Sequence, residues 1–476
     1  MKKILFVASE AVPFASSGGL GDVIGSLPAA IKEASDSGMD VRVIMPLYGS
    51  MKDEFRSKLT RLYETGVNLS WRRQYLGIHY LVHNGVTYYF LDNEYYFKRP
   101  SLYGSYDDGE RYAFFCKAVM ESLPIIDFFP DILHAHDWQS ALTVIYLKRK
   151  YGLMDGYRDI KSVFTIHNIA YQGVYGFEIL GDVFDLAPSD RVIVEYNGDI
   201  NLMKGAIVCA DLVSTVSPTY ALEVLSPRFS NGLHYILEQH KGKMRGILNG
   251  IDTDYYNPLT DTELYANYSA KSLKGKAECK KQLQKLLGLA ENPDVPLVAI
   301  ISRLTGHKGL DLVMLAADDM MKENIQLVIL GQGDYGYEDY FWHLADRYKG
   351  RVSTLLMYNK EMSKKIYSGA DMFLMPSKSE PCGLAQMISS RYGTVPIVRE
   401  TGGLYDSIKD IGWEGGGNGF TFAPYSAWEL LGAVKRACGV YADKEKWTEL
   451  VKKVMKVDFS WDKSAIEYIN MYNCIL

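Results

Sequence analysis

The feature that most constrains the fold is a series of short apolar runs separated by helix-sized intervals. Because these runs are apolar on both faces, they predict parallel strands covered by helices on both sides of a sheet. The expected class is therefore α/β, with doubly wound parallel sheets. The runs are ILFVA (4–8), VRVIMP (41–46), DILHAH (131–136), SVFTIH (162–167), LVSTVS (212–217), LVAIIS (297–302), IQLVILG (325–331), DMFLMP (371–376) and VPIVR (395–399).

The strand series pauses between about residues 219 and 295, which divides the chain into two halves. This interval contains GILNGID (246–252) and a Lys-rich segment (271–285) that predicts a solvent-exposed helix. A length of 476 residues accommodates two large domains at roughly 150 residues or more per domain. We expect two Rossmann-like domains, residues 1–245 and 246–457, facing a central cleft.

The segment 69–98 departs from the parallel pattern. Asn84-Gly85 separates the strand-like runs WRRQYLGIHYLV and VTYYFLDN. Asn-Gly between two such runs is a strong signal for a β-hairpin. An antiparallel addition to the first sheet is therefore predicted.

Charge and cysteine content limit the classes of partner and compartment. With 52 Lys and Arg against 57 Asp and Glu, the net charge of −5 argues against nucleic acid or an anionic membrane as the main partner. The apolar run after Lys2-Lys3 is five residues long, too short for a signal peptide or a membrane span. The cysteines are scattered without metal-like spacing, which favours a reducing, cytoplasmic location; they are Cys116, Cys209, Cys279, Cys382, Cys438 and Cys474.

Polar motifs follow most of the predicted strands, where ligands bind in open parallel sheets. Gly18 and Gly19 open a probable helix and can bring backbone N–H groups to an oxyanion, although a plain tight turn is about as plausible. Arg303 and Lys308 suit a diphosphate clamp, with two solvated surface cations as the alternative. Gly402-Gly403 offers a second phosphate-approaching turn.

Three polar residues of the first half permit a metal-site interpretation. His134, Asp137 and His167 resemble the ligands of a metal hydrolase, but no further ligand follows in suitable spacing, so hydrogen-bonded histidines are favoured. In the second half, Glu380 suits stabilisation of a positively charged sugar-like transition state, with helix capping as the alternative. Cys382 has no evident partner base and is interpreted as a small lining residue.

Taken together, the motifs resemble the bacterial glycogen synthase and plant starch synthase family. The similarity extends along the chain in the family's order, and ten blocks in order are highly specific. The blocks are SSGGLGDVIGSLP (16–28), GERYAFF (109–115), HAHDWQSAL (134–142), TIHNIAYQG (165–173), TVSPTYA (215–221), GILNGID (246–252), SRLTGHKG (302–309), EPCGL (380–384), RYGTVPIVRETGGL (391–404) and FSWDKSAIEYI (459–469).

The resemblance implies a GT-B fold in which a C-terminal helix, within residues 458–476, crosses back to the first domain. The first domain would serve the acceptor and the second the nucleotide sugar. The implied reaction transfers glucose from ADP-glucose to the non-reducing 4-hydroxyl of an α-1,4-glucan, with retention at the anomeric carbon and without a metal or other cofactor.

The resemblance also implies a role for each matching residue. Arg303, Lys308 and the N–H groups of Gly18 and Gly19 would hold the diphosphate. The glucosyl group would contact a larger set, and Tyr358 would stack on the adenine. The glucosyl contacts would be Asp137, His167, Asn249 and Glu380, with the backbone of Cys382, Gly383 and Leu384.

Three positions depart from the family pattern. Ser16 replaces a Lys of the first loop, which removes a charge-assisted bond worth roughly 1.5–3 kcal/mol. Lys378-Ser379 replaces Arg-Phe before EPCGL, and Ile388 replaces a Glu found in other proteins of this fold. Two alternative functions stay open. One is a related retaining transferase with another donor or acceptor, and the other is a weakly active regulator that binds glucan or nucleotide sugar.

Overall fold

The computed structural model of the chain describes residues 1–36, 38–412, 414 and 416–476. It divides into two compact units. Unit 1 comprises Met1–Gly250 and Trp461–Leu476, and unit 2 comprises Ile251–Ser460. Both units contain parallel sheets and helices, which confirms the predicted α/β class.

Unit 1 contains a large sheet with the strand order β12-β11-β7-β6-β1-β2-β5-β4-β3. It also contains a small sheet with the order β8-β10-β9. Its strands within the described residues are β1 (Lys2–Val7), β2 (Met39–Pro46), β3 (Thr60–Leu69), β4 (Arg72–His83), β5 (Val86–Asp92), β6 (Ile132–His136), β7 (Lys161–Ile166), β8 (Val174–Tyr175), β9 (Glu195–Tyr196), β10 (Asp199–Asn201), β11 (Leu212–Thr215) and β12 (Met244–Gly246).

In the large sheet, the parallel strands are added in chain order first on one side of β1 and then on the other. The strand order therefore reverses between β1 and β6. Chain order runs outward from β1 through β2 to β5, and then from β6 through β7 and β11 to β12. In open parallel sheets this switch point is where ligands bind, beyond the carboxyl ends of the strands. The loops after β1 and β6 therefore mark the expected site of unit 1.

The helices of unit 1 connect these strands, and most present an apolar face to the sheet. They are α1 (Gly19–Ala34), α2 (Asp53–Arg56), α3 (Glu94–Phe97), α4 (Asp108–Ile125), α5 (Trp138–Tyr146), α6 (Ile179–Asp182), α7 (Arg191–Val194), α8 (Leu202–Cys209), α9 (Pro218–Glu223) and α10 (His234–His240). A π-helical turn (Leu147–Tyr151) and 3₁₀ turns (Pro188–Asp190, Lys241–Lys243) complete the set.

The predicted hairpin is confirmed. β4 pairs antiparallel with β5, and Asn84 and Gly85 both have positive φ, at 47° and 73°. Two successive positive φ values are typical of a type I′ turn, which Asn-Gly favours. β3 extends the antiparallel edge beyond β4.

The described residues of unit 2 form one parallel sheet in the order β15-β14-β13-β16-β17-β18. This is the doubly wound order 3-2-1-4-5-6, with its switch point between β13 and β16. The strands are β13 (Leu297–Ile301), β14 (Gln326–Leu330), β15 (Val352–Leu355), β16 (Met372–Met375), β17 (Val395–Arg399) and β18 (Phe420–Phe422). The helices are α11 (Lys274–Leu286), α12 (Leu310–Met321), α13 (Tyr335–Arg347), α14 (Lys360–Gly369), α15 (Ala385–Arg391), α16 (Gly402–Ser407), α17 (Ala427–Ala442) and α18 (Lys444–Val454), with a 3₁₀ turn at Gly306–Lys308.

The last helix, α19 (Trp461–Asn473), belongs to unit 1. It packs against α1, and the Tyr472 hydroxyl lies 2.8 Å from Nδ1 of His134 in β6. Ser464 Oγ donates to the carbonyl oxygen of Leu248. The chain thus leaves unit 1 near residue 250 and returns to it near residue 461.

Two details of the sequence interpretation are wrong. β12 lies within the interval where the strand series was expected to pause; at three residues it is too short to give an apolar run. The Lys-rich helix α11 is not solvent-exposed throughout, because Lys276 and Lys280 are both buried. Lys280 pairs with Asp371 at 2.7 Å, so the unit 2 core accommodates charge where it is paired.

Among the described residues, no helix combines the length and apolar character that crossing a membrane requires. The six cysteines are free thiols, and Cys474 is exposed.

Candidate active site

In unit 2, a glycine holds the loop after β13 against the end of β16. Gly309 follows the turn Gly306–Lys308 and has a φ of 72°. A Cβ at Gly309 would lie 2.0 Å from the carbonyl oxygen of Pro376. Only glycine permits this approach, and it brings Lys308 to the loop that carries Glu380.

Glu380 is a buried carboxylate with two side-chain partners. Lys308 Nζ lies 2.9 and 2.7 Å from its two carboxylate oxygens, and Ser377 Oγ donates to Oε2 at 2.9 Å. Burial alone raises the pKa of Glu380, but Lys308 and Ser377 outweigh it and hold the pKa below its usual value. Glu380 is therefore ionised at neutral pH.

Two further predicted residues lie on exposed loops of unit 2. Arg303 follows β13 and is exposed, and its guanidinium makes no hydrogen bond or ion pair among the residues that the structure describes, although its backbone carbonyl accepts from Ser302 and Thr305. Tyr358 follows β15, and 79% of its surface is exposed. Both side chains are accessible to a ligand at the carboxyl edge of the sheet.

Gly402 and Gly403 pack against the backbone of the loop that contains Glu380. A Cβ at Gly402 would lie 2.0 Å from the carbonyl oxygen of Glu380, and one at Gly403 would lie 2.2 Å from that of Cys382. The Gly403 N–H donates to the carbonyls of Glu380 and Pro381 at 3.2 Å each. The two glycines thus support this loop, and their role in binding phosphate stays a prediction.

The segment Cys382–Leu384 turns sharply into α15. Gly383 has a φ of 73°, and the buried Gln386 donates to the carbonyls of Cys382 and Gly383 at 3.2 and 2.8 Å. Gln386 therefore fixes the backbone predicted to contact the sugar. Gln386 was not predicted, because a glutamine inside a helix carries no distinctive sequence signal.

In unit 1, the loop Ser16–Gly19 wraps around a buried carboxylate, Glu10. The Ser17 N–H and hydroxyl donate to Glu10 at 2.5 and 2.8 Å, and the Gly18 N–H donates at 3.2 Å. The Tyr103 hydroxyl donates to Oε1 at 2.6 Å. Glu10 was not predicted, although an acid three residues after the buried strand β1 is a sequence signal.

This arrangement bears on the phosphate role predicted for Gly18 and Gly19. The Gly18 N–H already donates to Glu10, whereas Gly19 begins α1, where backbone N–H groups lack intrahelical acceptors. Ser16 is exposed, and its hydroxyl donates to the Gly18 carbonyl at 3.2 Å. A longer cationic side chain at position 16 would have open solvent to extend into.

Asp137 and His167 meet at the ends of β6 and β7. Asp137 has a φ of 58°, unusual for a residue other than glycine, and its Oδ1 accepts from the His167 N–H at 2.7 Å. Burial raises the pKa of Asp137 to about 7, and the nearby Glu10 carboxylate adds to the rise, while the N–H bonds oppose it. Burial lowers the pKa of His167 to about 3, so its imidazole is neutral.

Asn249 lies in unit 1 after β12 and is buried. Its Oδ1 has no hydrogen-bond partner among the described residues. An unpaired buried acceptor is costly, so this position favours a ligand that donates a hydrogen bond. A sugar hydroxyl would satisfy it.

His134 is a buried core histidine rather than a group open to a ligand. Its ring nitrogens bond to Tyr472 at 2.8 Å and to Thr165 at 2.6 Å. Within the described ranges, no three His, Cys, Asp or Glu side chains are grouped so that they could hold a metal ion. The favoured interpretation of His134 as a hydrogen-bonded residue is confirmed.

Comparisons with known protein families match nearly the whole chain. The family described as Starch synthase catalytic domain matches residues 3–239, and Glycosyl transferases group 1 matches residues 287–454. The chain is 47% identical to a glycogen synthase of Ligilactobacillus salivarius over 474 residues, covering 99% of both chains. It is 46% identical to a glycogen synthase of Anoxybacillus flavithermus, covering 99% of this chain and 97% of that one.

Solved structures show the same fold. The catalytic domain of starch synthase IV from Arabidopsis thaliana, bound to ADP and acarbose, is 36% identical with a TM-score of 0.91, covering 100% of this chain and 99% of that one. A sucrose-phosphate synthase from Thermosynechococcus elongatus, at 17% identity and a TM-score of 0.63, shares the fold alone. The predicted GT-B fold and the predicted glycosyltransferase class are confirmed. The chain belongs to the glycogen and starch synthase family of glycosyltransferases.

Proposed function

We propose that this protein is a retaining glucosyltransferase that moves glucose from ADP-glucose to the non-reducing 4-hydroxyl of an α-1,4-glucan. The observation that carries the proposal is the buried, ionised Glu380 held by Lys308 at the switch point of unit 2. It lies in a chain whose full length matches glycogen synthases. The ADP found in the related starch synthase structure supports ADP-glucose as donor.

The diphosphate binds cations on the loop after β13. Arg303 is exposed and offers a planar fork of donors, whereas Lys308 offers a point charge. Because negative charge grows on the departing diphosphate, fixed cations stabilise the transition state more than the ground state. With Arg303 and Lys308 as countercharges, the proposed transfer uses no metal ion or other cofactor.

Lys308 has two anionic partners in this scheme. Its ammonium bonds to Glu380 at 2.7 Å, and the donor diphosphate competes for the same group. Sharing Lys308 leaves Glu380 with less countercharge as positive charge develops on the sugar ring. Glu380 can then stabilise that ring charge.

The groups proposed to contact the glucosyl hydroxyls are polar atoms near the ends of strands. Asn249 supplies the unpaired Oδ1, and Asp137 and His167 supply polar atoms at the ends of β6 and β7. The Cys382–Leu384 backbone adds further contacts. N–H groups of Gly18 and Gly19 serve the diphosphate, with Gly18 shared with Glu10. Gly402 and Gly403 support the phosphate end of the site, and Tyr358 stacks on the adenine.

Ser16 favours a second candidate function, a weakly active binder of glucan or nucleotide sugar with a regulatory role. The exposed Ser16 supplies no charge where the family has Lys. This candidate predicts glucan binding without turnover.

The proposed location of the protein is the cytoplasm. The six free thiols agree with this proposed location.

One assay tests the proposal. Purified protein is incubated with ADP-glucose or UDP-glucose and glycogen, with and without EDTA, while nucleotide release and labelled glucose in the glucan are measured. We expect transfer from ADP-glucose in both conditions, with the label released by β-amylase, which removes α-1,4-linked units from non-reducing ends. No transfer from either donor with intact glycogen binding would overturn the proposal in favour of the binder, and loss of transfer with EDTA would contradict the metal-free scheme.

A further inference from the structure

His136, the last residue of β6, is a buried side chain to which no role has so far been assigned. Its Nδ1 lies 3.0 Å from Nε2 of His167, a hydrogen-bonding distance between two imidazoles. β6 and β7 are paired parallel neighbours, and His136 is in register with Thr165, two residues before His167. The contact therefore follows from the register of the sheet.

The described residues around the His136 ring offer that ring no second hydrogen-bond partner. The Phe6 ring stacks on it at 5.2 Å between centroids, and the His134 ring lies 4.1 Å away. His134 uses both of its nitrogens on Tyr472 and Thr165. Within the part of the chain that is described, His136 Nε2 is buried and has no hydrogen-bond partner.

Both rings of the pair are neutral. Burial lowers the pKa of His136 well below its ordinary value and that of His167 to about 3. A neutral imidazole carries one proton, so a bond between the two rings has one donor and one acceptor. Two arrangements are possible.

The two arrangements differ in whether the buried Nε2 of His136 carries a proton. If His167 donates from Nε2, then His136 must carry its own proton on Nε2, and that N–H is left buried and unpaired. If His136 donates from Nδ1, its buried Nε2 is a bare lone pair. Unpaired buried N–H groups are rarer in proteins than under-satisfied acceptors, which favours the second arrangement.

We propose that His136 is a positioning residue that fixes His167 in the tautomer with its proton on Nδ1. His167 Nδ1 has no partner among the described residues, so its N–H is available to a ligand. His167 then acts as a hydrogen-bond donor to a sugar oxygen and does not accept a proton. The last step rests on the proposed function, whereas the tautomer does not.

The test reads the tautomer directly by nitrogen NMR of protein labelled with ¹⁵N at histidine. The His167 signals are assigned by their loss in His167→Gln. In the wild type we expect Nε2 at the shift of an unprotonated ring nitrogen and Nδ1 at that of a protonated one. A proton on Nε2 of His167 overturns the proposal, whatever the transferase activity. Absent transfer with the expected tautomer would refute only the proposed function.

Two variants test whether His136 is the cause. His136→Leu removes the donor, and we expect His167 to lose its single tautomer and kcat to fall about tenfold or more, the scale seen for residues that orient metal-binding histidines. His136→Asn retains an amide donor near the Nδ1 position and should restore the tautomer and most of kcat. His134→Asn is the control: it disturbs the same buried rings and lowers stability, but leaves the His167 tautomer unchanged. An unchanged tautomer in His136→Leu would overturn the proposal.

Discussion

Lys308 Nζ lies 2.7 Å from Oε2 of Glu380, although the two residues are 72 positions apart in the chain. Gly309 makes the contact possible by letting the Lys308 loop approach the carbonyl oxygen of Pro376. The ammonium keeps a buried carboxylate ionised. A charge held in place before the donor binds needs little reorganisation during the reaction.

The first prediction concerns this carboxylate. Glu380→Ala and Glu380→Gln should each lower kcat by at least about 10²–10³-fold, because the ring charge of the transition state loses its stabilising anion. Glucose transfer from ADP-glucose and circular dichroism melting are measured together. Glu361→Ala, which removes an exposed carboxylate of α14, is the matched control and should retain activity. Near-normal turnover in folded Glu380→Ala would show that the role is misassigned.

The second prediction concerns the departure at position 16. Ser16→Lys should raise kcat/KM for ADP-glucose by on the order of tenfold or more, since a charge-assisted bond to phosphate contributes about 1.5–3 kcal/mol. Initial rates at varied donor concentration measure the effect. Ser189→Lys adds the same charge at another exposed serine and should change nothing. An unaltered kcat/KM in Ser16→Lys would mean that another group already fills the site.

The third prediction follows from the Asp137 carboxyl, whose pKa burial raises to about 7 from 3.8. Because the folded state binds this proton more tightly than the unfolded state, the stability contributed by the group is lost as pH rises from about 4 to 7. Asp137→Asn keeps the Oδ1 acceptor but cannot ionise. The melting temperature of the variant relative to the wild type should therefore increase between pH 5 and pH 8. Parallel pH profiles for the two proteins would contradict this.

The strands and loops of the site could be predicted from the sequence, because buried parallel strands leave local signals. Apolar runs mark β1, β6, β13 and β16, and the motifs after them contain Asp137, Arg303 and Glu380. Which of these side chains contact each other depends on how the strands that carry them are paired. The contact of His136 with His167 and the pairing of Lys308 with Glu380 join residues distant in sequence, so no local pattern shows them.

Burial of charged residues also could not be predicted from the sequence. Alternate lysines of α11 look alike in sequence, yet Lys276 faces the core and Lys281 faces solvent. The difference is set by where the end of α14 and the segment before β17 lie. Short elements such as β12 carry too few residues for a pattern. Glu10 was overlooked because two of its donors are backbone N–H groups, which every loop has, and the Tyr103 hydroxyl is 93 positions away in the chain.

The fourth prediction concerns Gly309. Gly309→Ala should destabilise unit 2 and lower activity, because the left-handed backbone disfavours a side chain by about 1–2 kcal/mol and the Cβ would lie 2.0 Å from the Pro376 carbonyl oxygen. Gly306→Ala in the same loop is the control, since its Cβ would meet only the Tyr337 hydroxyl at 3.6 Å. Melting temperature and kcat are measured for both. Equal effects of the two substitutions would show that the close approach is unimportant.

The fifth prediction concerns Lys276, whose ammonium holds three elements of unit 2 together. Its Nζ contacts the carbonyl oxygens of Ser368, Ala370 and Tyr392 and the Thr394 hydroxyl, at 2.8 to 3.1 Å. Burial lowers the pKa of Lys276 to about 8, so the group is still mostly charged at pH 7. Lys276→Met fills similar space but leaves buried acceptors unsatisfied, at about 1–3 kcal/mol each.

We therefore expect Lys276→Met to lower the free energy of unfolding by about 3 kcal/mol or more at pH 7, measured by urea denaturation. Lys281→Met, on the exposed side of α11, removes a charge without burying an unpaired acceptor and should have little effect. Since the folded-state pKa is below the usual value of 10.5, the unfolded state of the wild type binds more protons between about pH 8 and 10.5, and its stability from this group rises across that range. Lys276→Met cannot titrate, so the gap between wild type and variant should widen from pH 8 to pH 10. A constant gap would contradict the depressed pKa, and equal stability of Lys276→Met and Lys281→Met would contradict the buried role of Lys276.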